Sequence, residues 1–466
     1  MRKDRLSVDS TLTGEAYDPQ HLDVWQQLQA LVALGRIPLA SEVPLWTLLG
    51  CLVSSQIFPL SSIMIPTTPS SPFQHLDWWA TIQCVLITWG TNISINYANE
   101  YFDWDLDRPG QVTAIRKDIK KKKEIEDEQD GHGSEEKTAE VVQEINEKIM
   151  SSSCRIIHDG TFPPYAALVC AMFFQFALVI LILVSRITTA NQSYDPTSSG
   201  SLHSSPFRGL ALQVGIFSTI LSQSYIGPPL RLHYHGFGEV VSSLFIAPVS
   251  MLFGILGHYT ASTGRSIPFS DLFASTSASS TSGFHLDSQM WFMLFGLYAY
   301  EQARIFIMHI PDIEADKRGN KNTLTVRIGQ LATSKLYVCF NALSILCFSI
   351  VGRQLIIGGG MLSRLSGIAP DYGSLGSPVA KAISRAWLTG LITTALFALP
   401  IMVIVSVSLF HAITPLKTTG GVPTLPVTEL AKIVSLQTLI TPLFLSATVA
   451  AAARIGWGVA REEGMF

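Results

Sequence analysis

From Pro164 to Ser185 the chain reads PYAALVCAMFFQFALVILILVS, without one charged residue. A helix needs about 20 mostly apolar residues to cross the hydrocarbon core of a bilayer. Nine stretches meet that description, at about 45–65, 78–98, 164–185, 208–226, 239–258, 289–308, 335–354, 386–411 and 436–458. Charged residues are 14% of the 466 and hydrophobic ones 48%, against roughly a quarter charged in soluble domains. The charge is also clumped, since 26 of the 67 Lys, Arg, Asp and Glu fall between Glu100 and Asp159. That apolar content excludes disorder, and a formal net charge of −3 argues against a nucleic-acid partner. The expected fold is an all-α membrane protein of about nine transmembrane helices around a central cavity.

Basic residues orient the bundle. With nine spans, the N-terminus and the loops after the second, fourth, sixth and eighth helices share one side and hold 22 of the 32 Lys and Arg. The positive-inside bias makes that side cytosolic. The segmentation expected is a cytosolic segment 1–43, a membrane domain 44–459 carrying a charged insert at 111–150, and a tail 460–466. No secretory signal is read in the first 40 residues, and their acids argue against a mitochondrial transit peptide. The organelle stays open between an endomembrane such as the endoplasmic reticulum, toward which these acids lean, and the mitochondrial inner membrane. The six cysteines form no CxxC pair and are read as packing residues. Residues 115–150, with their KKKK run, are expected to be a solvated, partly disordered loop. Glu301 and Arg304 inside the sixth span are costly in lipid and predict a helix face turned to a cavity.

Two cytosolic connections carry more information. NYANEYFDWDLDRPG leaves the second helix, and its spacing sets Asn99, Asp103 and Asp107 at i, i+4 and i+8 on one helical face until Pro109 ends it. HIPDIEADKRGNKNTLTVRIG leaves the sixth helix, with Asp312 and Asp316 again at i, i+4 and Lys317, Arg318 and Lys321 close behind. Either motif alone could be an acidic helix end facing water. Two of them on one side point to a hard divalent cation, because paired oxygen ligands suit Mg²⁺. Mg²⁺ completes its shell with phosphate oxygens, so the two faces are expected to hold one diphosphate between them.

These residues resemble the UbiA superfamily of intramembrane aromatic prenyltransferases, and most closely its dihydroxynaphthoate (menaquinone and vitamin K) branch. The resemblance rests on Asn99-Glu100-Tyr101-Phe102-Asp103, on Asp312 and Asp316, and on the stretch from Gly319 through Lys321 and Arg327 to Gly329. Tyr225 to Pro229 with Tyr234 to Glu239, and Ser153 to Gly160, are similar to further segments of that branch. The chain departs from the pattern at His309 and Pro311, where Asn and Arg are usual, and at Glu100, where Asp is usual.

The resemblance implies Mg²⁺-dependent transfer of a prenyl group from a polyprenyl diphosphate to an aromatic, quinol- or naphthoate-type acceptor within the bilayer. Asn99, Asp103, Asp107, Asp312 and Asp316 would bind the metal. Arg155, Lys321, Lys317 and Arg231 would pair with diphosphate oxygens, and Tyr101, Tyr225 and His309 would contact substrate. Arg36, just before the first span, is read as interfacial, with lining of the cavity mouth as the alternative. A terpene cyclase acting on the prenyl diphosphate alone, or a cation-coupled transporter, are the alternatives.

Overall fold

The computed structural model describes residues 24–57, 76–129, 164–190, 205–273, 284, 286, 288–318, 320–357, 376–413 and 427–462. Every regular element among them is helical, the arrangement that satisfies a backbone in lipid without a partner strand. In chain order they are α1 (Val24–Leu34), α2 (Ile37–Ala40), α3 (Glu42–Ile57), α4 (Trp78–Gln129), α5 (Pro164–Ala190), α6 (Gly209–Ile226) and α7 (Gly238–Leu244). They continue with α8 (Ser250–Thr263), α9 (Ser288–His309), α10 (Ile313–Arg318), α11 (Leu324–Ile357), α12 (Gly376–Ile413) and α13 (Val427–Glu462).

Among the described residues five stretches are long and apolar enough to cross a membrane: Tyr165–Thr188, Gly238–Thr263, Leu324–Gln354, Leu388–Leu409 and Glu429–Ala451. They carry the expected third, fifth, seventh, eighth and ninth spans. The chain is therefore an integral membrane protein by the length and composition of its helices. The expected second, fourth and sixth spans are helical but more polar, through Asn92 and Asn96 in α4, Gln213 and Gln223 in α6, and Glu301 and Arg304 in α9. The apolar part of α3, Glu42–Ser55, is short, and the rest of the expected first span, 58–65, lies outside the described residues.

Two expectations about the first acidic segment are corrected. Pro109 does not end the helix, because α4 continues through it to Gln129. Residues 115–129, expected to be an irregular loop, form the last turns of that helix. Lysine and glutamate, which dominate this stretch, are good helix formers. The rest of the insert lies outside the described residues.

The chain divides into two compact units, one of residues 39–92 and 174–466 and one of 1–38 and 93–173. In the larger unit α3 and α8 approach backbone to backbone. A Cβ at Gly50 would land on the Met251 carbonyl, and one at Gly254 on the Thr47 carbonyl. Small residues at such a crossing are how membrane helices pack where the hydrophobic effect gives no drive. Around it lie Trp46, Leu49, Val53, Met251, Ile255 and Leu256, all fully buried. Exposure sorts the spans by position, since 17% of the apolar window of Tyr165–Thr188 is buried against 56% of that of Gly238–Thr263. The outward Phe173, Phe176 and Leu183 of α5 are lipid-facing side chains.

Two backbone irregularities lie in the spans. Between α7 and α8 a π turn, Phe245–Val249, holds Pro248, and the Ser250 hydroxyl donates to the Phe245 carbonyl at 2.6 Å. A side-chain hydrogen bond thus reinforces the ladder where it is distorted. In α11 the helix breaks at Gly329, with φ 78° and ψ 168°, a region open essentially to glycine alone. Replacing Gly329 with Ala should cost about 1–3 kcal/mol, and Gly254→Val should cost at least about 1–3 kcal/mol by forcing α3 and α8 apart. Thermal unfolding of the purified, detergent-solubilised variants measures both, and wild-type melting in either would refute the corresponding packing statement.

Candidate functional site

The second aspartate motif folds as an exit, a turn and a return. Helix α9 ends at His309, the turn Ile310–Asp312 follows, and α10 is a single short helix. The Asp316 amide donates to the Asp312 carbonyl at 2.8 Å and the Lys321 amide donates to the Asp316 carbonyl at 2.9 Å. This closes the segment back toward α11. Asp312 is exposed and Asp316 buried. The Thr323 hydroxyl donates to Asp316 Oδ2 at 3.3 Å, so one carboxylate oxygen is held by the loop itself. Pro311 takes the turn, where its missing N–H costs nothing.

The connection after α6 comes to the same place in the larger unit. Glu239, in the first turn of α7, is fully buried, and its Oε1 accepts the Thr325 N–H at 3.1 Å. The positive end of a helix dipole favours a carboxylate at that position. Nδ1 of His309 lies 3.6 Å from the same oxygen, an ion-pair distance too long for a good hydrogen bond. Burial works against the imidazolium, but the carboxylates of Glu239, Asp312 and Asp316 turn the balance, and His309 titrates above the ordinary histidine range. His233 presents its ring edge-on to His309, with centroids 5.5 Å apart, and its Nδ1 is 3.0 Å from the Tyr225 hydroxyl. Two cations reach the neighbouring Tyr234 ring, the Arg231 guanidinium at 5.7 Å and the Lys321 ammonium at 6.0 Å from its centroid.

The first aspartate motif lies in the other unit, on α4. Asn99 is half-buried and Asp103 buried. Asp107 is helical, and its side chain falls outside the described ones. Tyr101 packs edge-on to Phe102 at 5.0 Å. Glu100 is fully buried and accepts from Arg36 Nη2 at 2.8 Å, while the Asn96 amide donates to the Gly35 carbonyl at 3.0 Å and the Tyr97 hydroxyl to the Leu31 carbonyl at 2.8 Å. The end of α1 is therefore fastened to α4 beside Asn99. Arg36, expected as an interfacial residue, is this fastener, and it holds a left-handed φ of 48° to make the contact.

Glu301 and Arg304 do not present a charged face to a cavity as expected. Arg304 Nε donates to Glu301 Oε2 at 2.7 Å and its Nη2 reaches Glu42 Oε2 at 3.3 Å. All three residues are buried, so the charges of α9 are answered by one another and by the first turn of α3.

Of the expected site residues, the larger unit brings together Tyr225, Arg231, His309, Asp316 and Lys321, with Asp312 at the edge. Lys317 is turned away, since its ammonium pairs with exposed Glu314 at 2.9 Å. Arg155 and the segment Ser153–Gly160 lie outside the described residues. Sequence reasoning gave no role to Glu239, His233 or Tyr234. The available signal was an acid directly after Gly238, at a helix start.

The donors on offer to a metal are oxygens, the chemistry that suits Mg²⁺. Among the described residues no three His, Cys, Asp or Glu side chains gather as a metal site. A diphosphate-bound Mg²⁺ needs only one or two protein carboxylates, the rest of its shell being water and phosphate. Asp312 and Asp316 in the larger unit are residues of the type that requirement calls for.

Two solved structures are similar to the chain. One is a UbiA homolog from Archaeoglobus fulgidus bound to GPP and Mg²⁺, with 11% identity, 90% of this chain and 99% of that chain covered, and a TM-score of 0.39. The other is a UbiA homolog from Archaeoglobus fulgidus bound to DMAPP and Mg²⁺, with 12% identity, the same coverage and a TM-score of 0.37. Similarity at this level carries no residue role across. No protein-family model matches the chain, and no curated protein matches it.

The buried triad makes a quantitative prediction. Arg304→Gln leaves two carboxylates without their guanidinium and should destabilise by about 3–5 kcal/mol, whereas adding Glu42→Gln and Glu301→Gln should recover most of that. Denaturation of the single and triple variants in detergent tests this, and an Arg304→Gln protein as stable as wild type would remove the triad from the account.

Proposed function

We propose that the chain is a Mg²⁺-dependent prenyltransferase of the bilayer, moving a prenyl group from a polyprenyl diphosphate to an aromatic acceptor of the quinol or naphthoate type. The observation that carries the reading is a convergence in the larger unit. Two loops about 90 residues apart in sequence bring two cations, Arg231 and Lys321, to one tyrosine ring, and the Lys321 amide is bound to the main-chain carbonyl of Asp316. The motif resemblance of the first aspartate segment, Asn99 to Asp107, supports it independently.

On this reading Asn99, Asp103, Asp107, Asp312 and Asp316 hold the metal. Bound there, Mg²⁺ would screen the charge of the diphosphate and stabilise it as a leaving group. Arg231 and Lys321, with Arg155, would pair with its oxygens as the C–O bond to the prenyl carbon breaks and negative charge gathers there. The allylic cation is taken by an electron-rich carbon of the acceptor, which then loses a proton. Tyr225, Tyr101 and His309 would orient substrate, and the apolar helices would keep water from the cation. The reading retains nine membrane passages with a cytosolic N-terminus, α4, α6 and α9 crossing despite their polar residues.

Membranes containing the chain, incubated with labelled polyprenyl diphosphate and Mg²⁺, should form a prenylated aromatic only when a quinol-type acceptor is added. A labelled hydrocarbon released without acceptor would identify a cyclase instead, and an unconsumed donor would rule out both enzymes.

A further inference from the structure

The turn that follows α8 has its polarity inside out. In the 3₁₀ turn Phe269–Phe273 the two phenylalanines are 62% and 63% exposed, while Asp271 between them is 2% exposed. A loop in water would hide the rings and show the carboxylate. The inversion is held from several sides. Ile267 and Leu272 lie in the buried core of the larger unit, and the Leu210 amide donates to the Ile267 carbonyl at 3.2 Å. Gly209, at φ 50°, allows that approach, because a Cβ there would fall on the Ser266 hydroxyl. Asp271 lies within electrostatic reach of Tyr259, near the end of α8.

The rings continue beyond the turn. Phe269 packs against Phe273 at 5.4 Å, Phe273 stacks on Trp291 at 5.5 Å with 13° between their planes, and Trp291 meets Phe295 at 6.3 Å. Phe295 is itself exposed. An aromatic row therefore runs from the turn onto the start of α9. Gly238–Thr263 is long and apolar enough to cross a membrane, so a turn packed beside its end stands at the membrane surface. Elements in that plane sink an apolar face roughly 5–10 Å into the boundary of headgroups and acyl chains, where aromatic rings concentrate. Two other covers fit worse. Residues 274–283, which follow the turn, are only Ala, Ser, Thr and Gly, and no side chain among them is large enough to cover a ring. A second copy of the chain would need roughly 800 Å² on each partner. Three rings exposed to this degree offer roughly 300–450 Å².

We infer that the turn Phe269–Phe273 is a lipid-inserted foot, with Phe269 and Phe273 laid into the bilayer at the boundary of headgroups and acyl chains. Its partner is the lipid itself. Because Trp291 stacks on Phe273, the foot also fixes the depth at which α9 begins. No residue of the aspartate loops takes part, so the inference stands apart from the proposed chemistry.

The first test uses the full-length protein in phosphatidylcholine vesicles, with p-benzoylphenylalanine at position 269 or 273. Irradiation should yield a peptide that carries the mass of one phosphatidylcholine. A crosslink to a second copy of the chain, or to residues 274–283, would overturn the inference. Phe269→Cys and Phe273→Cys give a second reading that leaves the turn's own anchors in place. It is taken in phosphatidylcholine nanodiscs, which open both faces to the reagent, with the labelling of native cysteines subtracted. Each should react with a membrane-impermeant maleimide at least about tenfold more slowly than the exposed Lys317→Cys, because apolar surroundings disfavour the reactive thiolate. Equal rates at all three positions would place the turn in water and overturn the inference. Where a benzoylphenylalanine variant fails to fold, the thiol rates decide.

Discussion

A charge inside a membrane domain has to bring its partner along, because the surrounding lipid offers neither water nor counterion. Two buried clusters in the helices follow this constraint. Arg304, buried near the end of α9, is clasped by Glu301 on its own helix and Glu42 on α3. Glu100, fully buried on α4, takes the guanidinium of Arg36. One ties α9, the helix that leads into the second aspartate motif, to α3, and the other ties α4, which carries Asn99 and Asp103, to the end of α1. Buried pairs are costly to assemble and more costly to break, so they act as fixed points.

The exits are ordered by the same economy of polar groups. Glu239 sits at a helix start, where the dipole favours it, and accepts the Thr325 amide across 86 residues of sequence. Asp316 is capped by Thr323. Each carboxylate thus fixes a loop to a helix, and together they place the loop after α6 against the loop after α9. Around this frame stand the imidazoles of His233 and His309 and the cations grouped on Tyr234. The frame offers anion-binding groups beside carboxylates, the combination that a metal-bound diphosphate requires.

Much of this was legible in the sequence, and the reasons differ from residue to residue. The stretch from Pro164 to Ser185 could only be a lipid-exposed helix, since an uninterrupted apolar run has one solution in a bilayer. The i, i+4 spacing of Asp312 and Asp316, with Lys321 close behind, is a local property and could be read directly, whereas the bond from the Lys321 amide to the Asp316 carbonyl is visible only in the structure. What local spacing cannot carry is distance in sequence. Nothing near Glu100 points to Arg36, 64 residues earlier, nor anything near Arg304 to Glu42. Charges read as facing a cavity therefore proved to be paired in the interior. Pro109 was read as a terminator because its missing N–H breaks one bond, yet α4 continues past it through a lysine- and glutamate-rich stretch of high helix propensity. The break at Gly329 lies in a motif quoted for its resemblance, but the conformation that demands glycine there is visible only in the backbone.

The central claim is that both aspartate motifs serve one Mg²⁺-dependent release of diphosphate. Continuous assay of inorganic diphosphate released from a polyprenyl diphosphate, by the purified wild-type protein and by Asp103→Asn and Asp312→Asn, tests it most directly. The account predicts release that requires Mg²⁺ and falls by at least about 100-fold in each variant, the scale on which loss of a charge-stabilising group slows such chemistry. Release that persists without Mg²⁺, or wild-type turnover in both variants, would contradict it.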